Sequence, residues 1–168
     1  MTQPTGCDTL FSNHMVATRQ EAQMSFPDRI ERTLEIAHPP ARVWAALTTA
    51  EGLGTWFGNA ATIDLRPGGA AEMTWTGGDK ASMRIERVEE PTVFGFTWGI
   101  NGLPDDDPRR TYVEFTLAPT AGGTRLTVIE SGFAQLPEDS HRQAFDGNTE
   151  GWASELSELV EYLDAGAA

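Results

Sequence analysis

Cysteine occurs once in the 168 residues, at Cys7, so no intrachain disulfide can form and no redox or zinc motif can be built on thiols. Histidine occurs only at His14, His38 and His141, spaced for neither a catalytic triad nor a metal centre. No metal and no cofactor is expected. Positive charge is scarce: 12 Lys and Arg stand against 25 Asp and Glu, leaving a net charge of −13. That balance repels phosphate backbones and anionic lipid surfaces, so neither a nucleic-acid partner nor membrane insertion is expected. Long hydrophobic runs are missing too: nothing approaches the roughly 20 apolar residues that span a bilayer. The first 25 residues lack the basic and apolar regions of a secretory signal, which makes the cytoplasm the expected compartment.

What the chain does have is aromatic area, with five tryptophans and eight phenylalanines, and a length suited to a single packed domain. Residues 1–26 mix Pro, Gly, Ser, Thr and Asn without a sustained period and read as a flexible tail, leaving 27–165 as the domain. Cys7 and His14 fall in that tail.

Period two begins at RIERTLEI, where Ile30, Leu34 and Ile36 alternate with Glu31, Thr33 and Glu35, the mark of a half-buried strand. Pro39 and Pro40 then open a helix over about 40–48 carrying Val43, Trp44 and Leu47. A second short helix, capped by Thr48 or Thr49, leads through Leu53, Trp56 and Phe57 to Gly58. Strand-like runs follow at about 60–65, 70–76, 80–89, 92–98, 110–117 and 124–132, punctuated by PGG, TGG, EEP and AGG. The DDDPRR run at 105–110 reads as a solvated hairpin loop. The final segment, about 139–164, sets Phe145, Asn148, Trp152, Leu156, Leu159 and Leu163 on one helical stripe, with Glu150, Glu155, Glu158 and Glu161 largely off it. The layout is α+β: about seven antiparallel strands curved around a long C-terminal helix, with two short helices after strand one.

Within that order, PPARVWAALTTAEGLGTWFG, DLRPGGAAEMTW, RLTVIESGF and GNTEGWASELSELVEYL resemble successive blocks of one branch of the START-like, or SRPBCC, superfamily. The branch is the one related to activators of the 90-kDa heat-shock-protein ATPase, and the resemblance covers roughly residues 28–165. It implies a helix-grip fold and a cavity between sheet and C-terminal helix, which many superfamily members use for apolar or amphipathic small molecules. The name comes from a eukaryotic co-chaperone that has a separate N-terminal domain, for which these 168 residues leave no room. A chaperone partner is therefore carried as an alternative.

The candidate site residues come from facing. Alternation from Leu126 through Val128 puts Glu130 on an inward, apolar face, where a carboxylate must be neutralised, hydrogen-bonded or paired. Arg32 falls on the inward face of strand one and is a partner candidate; the alternative is a rim position for Arg32, or a bulge that returns Glu130 to solvent. Asn148, one turn before Trp152, brings an amide toward the same cavity, unless it bonds backbone at a helix–sheet boundary. Gly151 is expected to let helix and sheet approach closely. Trp75 and Trp98, with Phe94 and Phe96, form either an aromatic wall or core filling. Trp56 and Phe57, fenced by Gly54 and Gly58, read as a cavity entrance with mobile flanks or as a staple to the sheet.

Three function classes follow. The first is a module, monomeric or homodimeric, that binds an apolar or amphipathic small molecule among Arg32, Trp56, Phe57, Trp75, Trp98, Glu130, Asn148 and Trp152. The second is an enzyme of the cyclase or hydrolase kind with Glu130 as acid or base. The third is an interaction protein that modulates a chaperone ATPase.

Overall fold

The computed structural model describes residues 26–166, so the tail, with Cys7 and His14, lies outside the described residues except for Phe26. Seven strands form one antiparallel sheet: β1 (Arg29–Ile36), β2 (Ala60–Ile63), β3 (Ala70–Thr74), β4 (Lys80–Glu89), β5 (Val93–Gly99), β6 (Arg110–Thr120) and β7 (Gly123–Ser131). Their order across the sheet is β1-β7-β6-β5-β4-β3-β2, so β1 closes one edge beside the last strand and all other neighbours are hairpins. Helices α1 (Pro40–Thr48) and α2 (Ala50–Trp56) follow β1, and the long α3 (Glu138–Ala165) follows a 3-10 turn at Phe133–Gln135. The last strand matches its expected span to within a residue and stops at Ser131, where Gly132, at φ 109°, takes the left-handed conformation that turns the chain out of the sheet.

Each strand contributes alternate side chains to a single core. On β7, Leu126, Val128 and Glu130 face inward; on β6, Thr111, Val113, Phe115 and Leu117 do, and all are buried. Registers along β1–β7 and β6–β7 are continuous, so no bulge disturbs Glu130. The one irregularity among the paired strands lies in β4, between Ile85 and Arg87, where an extra residue bends the strand.

The long helix closes over the concave face with Trp152, Leu156, Leu159 and Leu163 buried. Side-chain hydrogen bonds tie down both of its ends. Arg42 of α1 donates to the Leu163 carbonyl at 2.7 Å and His38 bonds Asp164 at 2.7 Å, while at the start His141 bonds the Pro27 carbonyl at 2.9 Å. Phe26, assigned to the tail on sequence, packs edge-on against His141 and Phe145.

The glycines around Trp56 and Phe57 stand where backbones come into close contact. Thr49 caps α2 by accepting from the Gly52 amide at 3.0 Å. A Cβ on Gly52 would stand 2.5 Å from the Ala46 carbonyl oxygen, and one on Gly58 would stand 2.9 Å from that of Thr74. A Cβ on Gly54 would meet the backbone of Ala60 and Ala61 at 3.1 to 3.3 Å. α2 is thus pressed against α1 on one side and against β2 and β3 on the other. Gly52→Ala is expected to lower unfolding free energy by about 1–3 kcal/mol, because backbone rather than a flexible side chain must yield; equilibrium urea denaturation measures it.

Candidate functional site

Glu130 is fully buried and accepts four hydrogen bonds, all from neutral side chains. Its Oε1 accepts from Trp98 Nε1 at 2.8 Å, Thr111 Oγ1 at 2.6 Å and Asn148 Nδ2 at 2.9 Å. Its Oε2 accepts from Trp152 Nε1 at 2.7 Å. The local reasons are simple. Trp98 pairs with Thr111 across β5 and β6, and Val113 pairs with Glu130 across β6 and β7, so Trp98, Thr111 and Glu130 form a diagonal over three strands. Asn148 and Trp152, four residues apart on α3, meet that diagonal from the helix side. Indole nitrogens can only donate, so the cluster is shaped for a carboxylate that accepts at every contact.

Beside this cluster, one end of the grip opens into a cleft of about 660 Å³ lined by the aromatics Phe57, Trp75, Trp98 and Trp152. The rings touch in series: Phe57 stacks on Trp152 with centroids 5.7 Å apart, lies 5.8 Å from Trp98 and meets Trp75 edge-on at 5.9 Å. Asn148, Gly147, Gly151 and Glu155 of α3 form one wall, the β3–β4 turn with Asp79 the second, and the β5–β6 loop with Asn101 and Asp105 the third.

Five of the eight expected site residues therefore line the cleft: Phe57, Trp75, Trp98, Asn148 and Trp152. Glu130 lies behind it, bonded to three of those five. Trp56 is stacked under Phe57 at 4.9 Å and donates its indole N–H to the Ala46 carbonyl at 2.8 Å, which makes it a staple between α2 and α1, not part of an entrance. Arg32 does not pair with Glu130. It shares the inward side of β1, but β1 is an edge strand, and the exposed guanidinium turns back to the Glu31 carbonyl at 3.1 Å. Gly151 also departs from expectation, because a Cβ there would meet nothing within 4 Å.

Two contributors were not anticipated. Thr111 supplies the shortest bond to Glu130, and its inward register with Val113 and Phe115 was the available signal. Glu155, placed off the buried stripe on sequence, is half-buried on the cleft wall, and its Oε2 is shielded from solvent without a hydrogen-bond partner. Desolvation, reinforced by Glu158 one turn on, pushes the Glu155 carboxyl up to about 7. Its spacing of three from Trp152 and four from Gly151 placed it on this face. Among the described residues, no three His, Cys, Asp or Glu side chains converge as a metal site would need, and no helix is long and apolar enough to cross a membrane.

A curved antiparallel sheet gripping a long C-terminal helix, with an aromatic cleft at one end, defines a START-like domain of the SRPBCC type. The profile of the family "Activator of Hsp90 ATPase homolog 1-like protein" matches residues 37–164, well over half of the chain, and the chain belongs to that family. Among solved structures, protein MLL2253 from Mesorhizobium loti is similar at 28% identity and a TM-score of 0.72, over 83% of this chain and 99% of its own. Protein Ms6760 from Mycobacterium smegmatis is similar at 28% identity and a TM-score of 0.63, over 80% of this chain and 90% of its own. DynU16, a protein of the dynemicin biosynthetic locus, shares the fold at 24% identity and a TM-score of 0.70, over 84% of this chain and 49% of its own. A search of curated proteins found no match.

Glu130→Leu is expected to destabilise by about 2–4 kcal/mol, since four donors lose their acceptor and two of them, the Thr111 hydroxyl and the Trp152 indole, belong to buried residues. Urea denaturation, with indole N–H resonances as a local readout, tests this. Glu155 has the opposite sign. Its folded-state value near 7 lies above the ordinary 4.5, so its contribution to stability is fully present below pH 4.5 and is lost as pH rises through 7. Glu155→Gln is expected to be more stable than the parent above pH 7, by about 1 kcal/mol once solvent screening is allowed for, with the two curves converging below pH 4.5.

Proposed function

We propose that the protein binds an apolar or amphipathic small molecule in the aromatic cleft between α3, the β3–β4 turn and the β5–β6 loop. The observation that carries this reading is a pair of glycines inside α3. Gly147 and Gly151, one turn apart where α3 borders the cleft, are both solvent-exposed, and a Cβ on either would meet nothing within 4 Å. A glycine in a helix interior costs about 1 kcal/mol against alanine, and neither residue recovers that cost through close packing. Both leave room in a cleft whose volume of about 660 Å³ suits a small organic ligand. The aromatic floor supplies apolar contact, and the polar groups around it supply orientation.

This reading is favoured over acid–base catalysis by Glu130, because both oxygens of that carboxylate are engaged by neutral donors and it does not line the cleft. It is favoured over a docking role on a chaperone because Leu65 is the one exposed large apolar side chain among the described residues, so they present no extended apolar patch.

Filling the space tests the proposal. Gly151→Leu is expected to fold normally, with a thermal midpoint at or above that of the parent, and to bind the neutral dye Nile red at least about tenfold more weakly, read by fluorescence titration. Equal binding by both proteins would place the dye elsewhere and remove the cleft from consideration. Native mass spectrometry of freshly purified protein is expected to show a retained small molecule in the parent that Gly151→Leu loses.

A further inference from the structure

We infer that the ligand of this cleft is an amphipathic organic cation, an ammonium or guanidinium group carried on an apolar body. The inference rests on the cleft being a small-molecule site and adds the charge of its occupant. Three features of the wall carry it.

The first is the state of the aromatic floor. Trp98 and Trp152 both donate their indole N–H to the carboxylate of Glu130, at 2.8 and 2.7 Å. Donation to an anion shifts electron density onto the ring, and the negative face of an indole is the strongest of the aromatic side chains for a cation. Phe57 and Trp75 extend the floor to four touching rings. Glu130 itself has only neutral donors, so its charge is dispersed toward the floor and not cancelled by a neighbouring Arg or Lys.

The second is the sign of the groups around the cleft. Glu155 stands on α3, with Glu158 one turn on; Asp79 is on the β3–β4 turn and Asp105 on the β5–β6 loop, and Glu130 lies beneath from β7. Lys80 is the sole basic residue of the lining, and its ammonium is bonded to Glu72 at 2.8 Å; Glu72 alternates with buried Ala71 and Met73 and so belongs to the convex face. The nearby loop cations are engaged as well. The Arg109 guanidinium grips the Asp107 carboxylate at 2.9 and 2.7 Å, whereas Arg110 is held by the backbone carbonyls of Asp105, Asp107 and Arg109 and keeps its charge. A net charge of −13 draws cations toward the whole molecule.

The third is the incomplete bonding of Glu155. Its Oε2 is shielded and unpartnered on the cleft wall, and desolvation pushes the carboxyl up to about 7. A cationic ligand in the cleft sets a positive charge beside this carboxyl and favours its ionised form, so binding releases a proton wherever Glu155 was protonated. The cation therefore binds more tightly as pH rises through 7, and an uncharged ligand does not.

The test compares benzyldimethyl(hydroxyethyl)ammonium with the neutral alcohol in which carbon replaces its quaternary nitrogen, titrated against the full chain and read by tryptophan indole N–H resonances. At about pH 8 the cation is expected to bind at least roughly tenfold more tightly than the alcohol, and to lose about five- to tenfold in affinity by about pH 6 as Glu155 protonates. Glu155→Gln is expected to abolish that pH dependence. If the alcohol binds as well as the cation, the charge assignment is overturned and the small-molecule reading stands. If neither perturbs the resonances of Trp75, Trp98 or Trp152, both fail together. A pH dependence that persists unchanged in Glu155→Gln also overturns the assignment.

Discussion

Removing a carboxylate from water costs several kcal/mol unless its lone pairs are met, and the protein meets those of Glu130 with donors from β5, β6 and α3 around an acceptor on β7. Apolar packing alone tolerates small slides of a helix across a sheet. A carboxylate that needs Asn148 and Trp152 from one side, and Trp98 and Thr111 from the other, permits only the arrangement in which all four arrive together. The register of α3 on the concave face is fixed there, while Arg42 and His38 tie down its C-terminal end.

The cleft is a consequence of that anchoring. Trp98 and Trp152 are held by their polar edges, at centroids 5.8 Å apart, and their remaining surface is available to line the opening. Trp56 supports the same floor from behind: bonded to Ala46, it stacks beneath Phe57, which stacks in turn on Trp152. The glycines around that pair shorten the distance between elements, whereas Gly147 and Gly151 in α3 are exposed and a Cβ on either would meet nothing within 4 Å. Identical residue types thus serve opposite ends, and only the surrounding backbone distinguishes them.

This explains what the sequence disclosed. Periodicity is a local property, so alternation through Leu126 and Val128 was enough to point Glu130 inward, and a spacing of four was enough to put Asn148 beside Trp152. The strand order of hairpins, the two short helices and the long one were legible for the same reason. Arg32 shows the limit: alternation states which side of a strand a residue occupies, but not whether anything covers that side, and on edge strand β1 its side chain is exposed. Trp56 and Gly151 fail similarly, because a staple and an entrance, or a tight and an open contact, differ only in what the rest of the fold brings near.

Glu155 is the most informative omission. A helix stripe assigned by hydrophobicity excludes glutamate by construction of the rule, yet the position three residues beyond Trp152 must turn the same way as the tryptophan whatever occupies it. A stability criterion would place an apolar or small residue there. The chain instead carries a carboxyl that burial holds near 7 and that finds no partner for one oxygen, next to two glycines that weaken the same helix. Three successive concessions on one face of α3, all bordering one cleft, are hard to reconcile with packing as their cause. They fit the proposed small-molecule site, where local stability yields to binding, and the acidic, electron-rich surroundings are those the proposed cation would require.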